Sequence, residues 1–171
     1  INYECIRTKG FGGTTFLTHA TVGGSMTASE FGIGGGWAGV RTTKNLSNLF
    51  PDVTGAADKR AQFYTNGQSI ELTGDPAPSF TEGYAVTKYR NITMAGNQGS
   101  SPDFADVDFP LFRSAEMNLV YAEAVLRGAT TGNSGTALTL INELRERAYG
   151  NTSGNITAAH LTVDFIIDER G

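Results

Sequence analysis

The sequence predicts a mainly α-helical fold with long ordered loops and a few short strands, arranged in two regions of different texture. Sixteen of the 22 glycines precede Leu111, and most aromatic residues lie at or before Phe112. Sustained helical periodicity begins only after Pro110. We therefore predict a loop-rich region over residues 1–110 and, over residues 111–171, a helical hairpin followed by the start of a further helix.

The first helix of the predicted hairpin has apolar residues three or four positions apart, which places them on one face. These residues are Leu111, Ala115, Leu119, Ala122 and Leu126. Other apolar residues, among them Met117 and Val125, lie on the opposite side. A helix that is apolar nearly all round is buried between neighbours. One hairpin cannot surround it, so we expect partner helices outside this sequence.

The second helix of the hairpin is predicted to end at Gly150, because glycine is favoured just past a helix C-terminus. Its apolar stripe comprises Ala137, Leu140, Ile141, Leu144 and Ala148. Two such antiparallel helices form the kind of hairpin that repeats in helical solenoids. A final helix is predicted to begin near Thr162.

Clusters of glycine, proline and serine interrupt the region before Pro110. Short extended pieces are predicted at Tyr3–Thr8 and at Tyr84–Tyr89. A brief helix fits residues 42–50, with Thr42 or Thr43 as its N-cap. The remaining length is predicted to form ordered loops, and so much loop within one domain usually reflects function or a missing neighbour.

Length and charge narrow the class of protein. A chain of 171 residues is long enough for one domain with its own core. The net charge is −4 and the basic residues form no run, which argues against a nucleic-acid partner. No apolar stretch reaches the length of a membrane span, and no export leader is visible. The single cysteine, Cys5, cannot form an internal disulfide.

The segment GIGGGWAGVR, residues 32–41, places five glycines around Trp37, the only tryptophan of the chain. A dinucleotide-binding loop needs G-x-G-x-x-G after a strand, and a P-loop ends in G-K-[ST]; this segment satisfies neither requirement. Contiguous glycines instead allow close backbone approach around a bulky residue. Trp37 is therefore either a core residue or an exposed platform that stacks on a sugar ring.

Acid–base catalysis is not indicated by the carboxylates of the first helix. Glu116 and Glu123 share a helix face, as a glycosidase pair would. However, Arg113 precedes Glu116 by three residues and Arg127 follows Glu123 by four, and both are ion-pair spacings. We therefore predict that these carboxylates are structural and that the chain has no catalytic residue.

Metal and cofactor sites are not indicated either. Asp103, Asp106 and Asp108 do not follow the register of a calcium-binding loop, and we expect them to form turns. His19 and His160 lie far apart without ligand-spaced partners, which argues against zinc. We predict no metal and no cofactor.

The order of six segments resembles the SusD/RagB family, surface lipoproteins that capture nutrients in Bacteroidetes-type bacteria. The segments are GWAGVRTTKNLSNLF, DKRAQFY, GYAVTKYRN, DFPLFRSAEMNLVYAEAVL, ALTLINELRERA and LTVDFIIDERG. The resemblance spans nearly the whole chain but covers only the C-terminal part of such a protein. We therefore expect a fragment of a larger SusD-like domain.

The resemblance implies a SusD-like architecture in which the hairpin is one tetratricopeptide-type unit. It would pack on helices from the remaining N-terminal part of the same protein, on the side that faces a SusC-like TonB-dependent outer-membrane transporter. Residues 1–110 would form much of the ligand-binding region. The expected location is the outer membrane at the cell surface, with lipid anchoring through an N-terminal segment not present in this sequence.

The function that the resemblance implies is non-enzymatic binding of a glycan and its delivery to the transporter. Trp37 is predicted as the stacking platform, Phe31 as a second aromatic contact and Arg41 as a hydrogen-bond donor to hydroxyls. The alternatives are a peptide-binding member of the same family, a helical docking scaffold without a ligand, and a glycoside hydrolase, which the arginine partners of the carboxylates disfavour.

Overall fold

Helices form most of the regular structure, together with two short strands, which confirms the predicted mainly helical fold. The computed structural model describes residues 14–74 and 79–171. The described chain forms a loop-rich unit, residues 14–48, 62–74 and 79–109, and a helical unit, residues 49–61 and 110–171. Within these residues, no helix has the length and apolarity needed to cross a membrane.

The loop-rich unit is built around a small apolar core rather than around a large sheet. Strand β1 (Phe63–Tyr64) pairs with antiparallel β2 (Ala85–Val86). The extended piece predicted at Tyr84–Tyr89 is thus a strand over two residues, and the piece predicted at Tyr3–Thr8 lies outside the described residues. The core consists of Val22, Met26, Phe31, Ile33 and Ala85.

Two short helices interrupt the loops of this unit. A 3-10 helix, Ala28–Phe31, ends at Gly32, which has a φ of 73°. Helix α1 (Lys44–Ser47) follows Thr43, one of the two predicted N-caps, although the Thr43 hydroxyl makes no capping hydrogen bond. The predicted brief helix is therefore confirmed, but it is a single turn.

The helical unit contains α2 (Ser114–Leu126), α3 (Ser134–Tyr149) and α4 (Val163–Arg170). A 3-10 turn, Thr152–Gly154, lies between α3 and α4. The predicted hairpin and final helix are confirmed. Helix α2 begins later than its apolar pattern predicts, because Arg113 still has extended backbone angles, with φ −134° and ψ 150°.

Local capping explains where α3 and α4 begin and end. The Asn133 side chain accepts a hydrogen bond from the Thr136 amide at 3.0 Å, and the Thr162 hydroxyl accepts one from the Phe165 amide at 3.2 Å. Gly150 ends α3 with a φ of 75°, a left-handed conformation that favours glycine. Each such cap stabilises its helix by about 1 kcal/mol.

Packing of the three helices forms the core of the helical unit. Its buried residues are Leu119, Ala122, Ala137, Ile141, Leu161 and Ile166. Of the predicted α2 stripe, Leu119 and Ala122 are buried and Ala115 and Leu126 are partly buried. Leu111 does not belong to it, because the helix begins only at Ser114 and Leu111 is exposed. Four apolar residues of this region are exposed, and we call them the α2 row: Met117 and Val120 on the helix, with Leu111 and Phe112 just before it.

An arginine–carboxylate network joins residues 49–61 to α3 and α4. The buried carboxylate of Glu169 contacts Arg60 and Arg145, each at 2.5 Å, and Arg60 also contacts Asp58 at 2.6 Å. Burial would raise the pKa of Asp58, but hydrogen bonds from Arg60 outweigh it and lower the pKa below its ordinary value of 3.8. Asp58 and Arg60 of the DKR sequence thus pair with each other locally.

Candidate ligand-binding surface around Trp37

Trp37 displays its ring to solvent while its backbone is fixed. The side chain is 57% exposed, which places it on the surface and not in the core. Its amide donates to the His19 carbonyl at 2.7 Å, and the amide of Val40 donates to the Ala20 carbonyl at 2.8 Å. The chain around the ring is therefore held against residues 19–22, and one large aromatic face remains accessible.

The glycines before Trp37 allow close backbone approach. A Cβ atom on Gly36 would overlap the carbonyl oxygen of Val22, so no larger residue fits there without a shift of the backbone. Ala38 follows with a φ of 54°, an uncommon conformation for a residue other than glycine. Its amide donates to the same Val22 carbonyl at 3.0 Å. The glycine-rich segment thus lets the backbone on either side of Trp37 pack closely on Val22 while the indole ring stays exposed.

Phe31 does not reach this surface. Its side chain is 2% exposed, and its ring packs edge-on against Tyr64 with the ring centres 6.2 Å apart. The guanidinium of Arg90 lies 4.9 Å from the centre of the Phe31 ring. A ring enclosed in this way has no face for a ligand, so Phe31 is a core residue here and we omit it from the proposed surface.

Arg41 is engaged mainly with backbone carbonyls. Its Nη1 donates to Thr21 at 2.5 Å and to Val40 at 3.0 Å, and its Nη2 donates to Phe80 at 3.1 Å. The Nε atom is buried without a hydrogen-bond partner, and burial lowers the pKa of the guanidinium. Arg41 therefore connects the segment that follows Trp37 to the segment that carries Phe80.

Exposed rings that the sequence analysis did not single out also belong to the loop-rich unit. Phe80 is 63% exposed and its carbonyl accepts from Arg41. Phe16 and Phe109 are both exposed, with ring centres 6.4 Å apart. No periodic pattern marks these residues, because loops impose no regular alternation of buried and exposed positions.

The polar clusters weighed in the sequence have structural partners. The predicted Arg113–Glu116 pair is wrong: Glu116 contacts Arg170 at 2.5 Å, because α4 brings this arginine across from another helix. Glu123 contacts both Arg127, at 2.8 Å and as predicted, and Arg170, at 2.6 Å. The hydrogen bond from Arg127 lowers the pKa of Glu123, whereas a catalytic acid needs a raised pKa.

Two further features do not include any of the predicted ligand residues. Asp106 organises a turn, since its carboxylate accepts from both the amide and the hydroxyl of Ser100, each at 2.7 Å. In the helical unit, an open cavity of about 570 Å³ is lined by residues that include Tyr149, His160 and Phe165. Across the described ranges, no group of three or more side chains of the metal-binding types converges.

Comparison with known proteins identifies the family. The sequence profile described as the SusD family matches residues 72–171. Because this match covers more than half of the chain, the chain belongs to the SusD family. The match does not include Phe31, Trp37 or Arg41.

The chain is also similar in sequence to a curated protein of this family. Starch-binding protein SusD of Bacteroides thetaiotaomicron is 37% identical to the chain over 100 residues. These residues make up 56% of this chain but only 17% of the relative, so the chain corresponds to a minor part of that protein's length.

Proposed function

We propose that this protein binds a glycan at a surface centred on Trp37 and delivers it to a SusC-like TonB-dependent transporter. The observation that carries the proposal is the Trp37 ring, more than half exposed on a backbone that is tied down on both sides. Tryptophan suits stacking on the apolar face of a sugar, with its indole N–H as a donor. Membership of the SusD family and a starch-binding relative support a carbohydrate ligand.

Arg41 and Phe80 extend the proposed surface. The Nη2 atom of Arg41 carries two N–H groups, and the Phe80 carbonyl accepts from one of them. The other is proposed to donate to a sugar hydroxyl. Because Arg41 holds the segment of Phe80, it also fixes the position of a second exposed ring. Exposed Phe80, rather than buried Phe31, is thus proposed as the second aromatic contact.

Calorimetric titration with maltooligosaccharides, chosen because a relative binds starch, tests this proposal. Trp37→Ala is expected to weaken binding at least tenfold, or about 1.4 kcal/mol, by analogy with the stacking of a nucleobase on an aromatic side chain, which contributes on the order of 1–3 kcal/mol. Phe16→Ala is the matched control, since Phe16 is an equally exposed ring of the same unit. Equal affinities of both variants would contradict the proposed site.

A parallel titration with mixed-sequence peptides separates the glycan proposal from the peptide alternative. Binding of peptides with no response to any glycan would assign the chain to the peptide-binding branch. Retention of structure with neither response would favour the docking scaffold. Incubation with the same glycans is expected to release no new reducing ends, because Glu116 and Glu123 are both held by Arg170.

The helical unit is proposed to dock rather than to bind ligand. The α2 row presents side chains such as Phe112, 84% exposed, and Leu111, 63% exposed. Apolar rows of this kind mark contact surfaces. We propose that the remainder of the same polypeptide covers this row as further tetratricopeptide-type helices, that the assembled helices face the transporter, and that a lipid anchor upstream holds the protein at the cell surface.

A further inference from the structure

We propose that His19 is a positioning residue for Trp37, which fixes the ring in an outward orientation before any ligand arrives. The inference rests on the proposed binding surface but has its own, ligand-independent readout. His19 is 5% exposed, and the sequence offered no function for it beyond the exclusion of zinc.

Two contacts link His19 to Trp37, and a third links it to Pro102. The His19 carbonyl accepts from the Trp37 amide at 2.7 Å. The imidazole lies beside the indole, with ring centres 6.3 Å apart and planes tilted by 41°. The Nε2 atom of His19 lies 3.1 Å from the Pro102 carbonyl oxygen. Backbone and side chain of one residue therefore act on the same aromatic platform.

The hydrogen bonds of the imidazole define its tautomer. The Pro102 carbonyl can only accept, so Nε2 must carry the proton and donate. The Nδ1 atom is then an acceptor, and the hydroxyl of buried Thr18 lies 3.0 Å from it. Both ring nitrogens are satisfied inside the protein, which a buried imidazole requires. An apolar side chain of similar size would fill the space but would leave the Pro102 carbonyl without this donor.

The Pro102 carbonyl also ties down the far end of the glycine-rich segment. It accepts from the Gly34 amide at 3.0 Å as well as from His19. Gly34 is thus anchored by the Pro102 carbonyl, and Trp37, three residues later, is anchored by His19. A segment this rich in glycine has high conformational entropy when free. Anchoring it in advance lowers the ordering cost of ligand binding, which is the general advantage of preorganisation.

The single tryptophan provides the test, because fluorescence excited at the red edge of tryptophan absorption, where the tyrosines do not absorb, reports on Trp37 alone. We expect His19→Leu to raise the acrylamide quenching constant of Trp37 and to lower its fluorescence anisotropy. His19→Gln keeps an N–H donor for Pro102 and is expected to restore both values. Unchanged fluorescence in His19→Leu, or equal changes in both variants, would overturn the proposal. Circular dichroism checks that each variant keeps its helical content.

Thr18 provides a second pair of variants that leaves the imidazole in place. Thr18→Val removes the hydroxyl that donates to Nδ1, and Thr18→Ser keeps it. Thr18→Val is expected to change the quenching of Trp37 in the same direction as His19→Leu, while Thr18→Ser is not. If His19→Leu fails to fold, this pair decides, and equal quenching in the two Thr18 variants would then overturn the positioning role.

Titration with maltoheptaose adds a ligand arm. Affinity is expected to fall between about twofold and tenfold in His19→Leu, the size of one lost neutral hydrogen bond, and to recover in His19→Gln. If the unsubstituted chain does not bind maltoheptaose, the proposed function fails while the fluorescence result still stands. If it binds and His19→Leu binds equally well, the positioning role fails while the proposed function stands.

Discussion

The two units of this chain are stabilised by different parts of the polypeptide. In the loop-rich unit, backbone amides and carbonyls of distant loops pair with one another, as Trp37 does with His19 and Gly34 with Pro102. In the helical unit most backbone hydrogen bonds lie within the helices, and side chains join the helices through apolar contacts and arginine–carboxylate pairs. A unit held by its backbone can leave its aromatic side chains free for a ligand.

The exposed surfaces reflect the same difference. The loop-rich unit exposes separate rings, including Trp37 and Phe80, whereas the helical unit exposes the α2 row on α2 and on the two apolar residues just before it. Separate rings within polar loops suit a ligand that alternates apolar faces with hydroxyls. A continuous apolar row suits another helix. This difference supports the proposal that the loop-rich unit contacts ligand and the helical unit docks.

Removing one buried carboxylate is expected to have the largest effect, and only in the helical unit. Glu169→Gln leaves Arg60 and Arg145 without their shared anion, which typically costs about 3–5 kcal/mol. Hydrogen exchange measured by mass spectrometry would show loss of protection in residues 49–61 and 110–171. Glu143→Gln, at an exposed position on α3, is the control and should change stability by less than about 0.5 kcal/mol. Equal losses of stability in both variants would show that the ion pairs of Glu169 do not contribute more than an exposed carboxylate does.

Two aromatic truncations sharpen the contrast inside the loop-rich unit. Phe31→Ala empties the centre of its core and should cost about 3–5 kcal/mol of unfolding free energy. Trp37→Ala removes an exposed ring and should change the free energy by no more than about 0.5 kcal/mol. Chemical denaturation of both variants gives the comparison. A large loss in Trp37→Ala would mean that the ring supports the fold and would remove the basis for a free binding face.

Acid is expected to weaken the helical unit through Asp58. Hydrogen bonds from Arg60 outweigh burial and keep the pKa of Asp58 below 3.8 in the folded protein. As the pH falls, the Asp58 carboxylate is therefore protonated in the unfolded chain before it is protonated in the folded one. The stabilising contribution is thus complete above the ordinary pKa and is lost as the pH falls through the lowered one. Asp52, hydrogen-bonded by Thr54 and with a pKa of about 2, acts in the same direction.

The acid effect is measured as the midpoint of chemical unfolding between pH 5 and pH 2. Asp58→Asn should flatten the decline, since its amide does not titrate. An unchanged pH profile in this variant would assign the decline to other carboxylates.

The smallest effect is expected at the α2 row. Val120→Ser, on the outward side of α2, should change the stability of the 171-residue chain by less than about 0.5 kcal/mol and should reduce binding of an apolar dye. In the longer polypeptide proposed above, the same change should be destabilising, because the side chain would then be covered. Leu119→Ser, one position away and buried, is the control and should destabilise both. A similar cost for Val120→Ser in the short chain would show that the row is already buried.

Helical periodicity predicted the helical unit well, because the spacing of apolar residues along a helix depends only on local backbone geometry. The repeat of the helix explains which residues of α2 and α3 are buried. Capping chemistry explains why α3 ends at Gly150 and why α4 begins after Thr162. The Arg170 pairs with Glu116 and Glu123 could not be predicted, because they depend on how α4 crosses α2. The spacing of Arg113 to Glu116 was compatible with a pair, but an arginine from another helix occupies the carboxylate.

The loop-rich unit was predictable only in its general character. Glycine content and clustered turn residues predicted loops, and the failure of the phosphate-loop patterns drew attention to Trp37. Whether Trp37 or Phe31 would be exposed depends on which loops meet, and sequence spacing does not determine this. The role of Pro102, a carbonyl 65 residues after Trp37 in the chain, has no signature in the sequence at all.

Residues 49–61 have a practical consequence for any attempt to study the helices alone. They precede the helical hairpin by about fifty positions, yet they contribute Asp58 and Arg60 to the network around Glu169. A truncation that begins at Pro110 would keep every turn of α2, α3 and α4 and still delete half of the cationic environment of that carboxylate. A minimal helical protein should therefore retain the 49–61 segment, supplied in trans as a peptide or joined by a short linker.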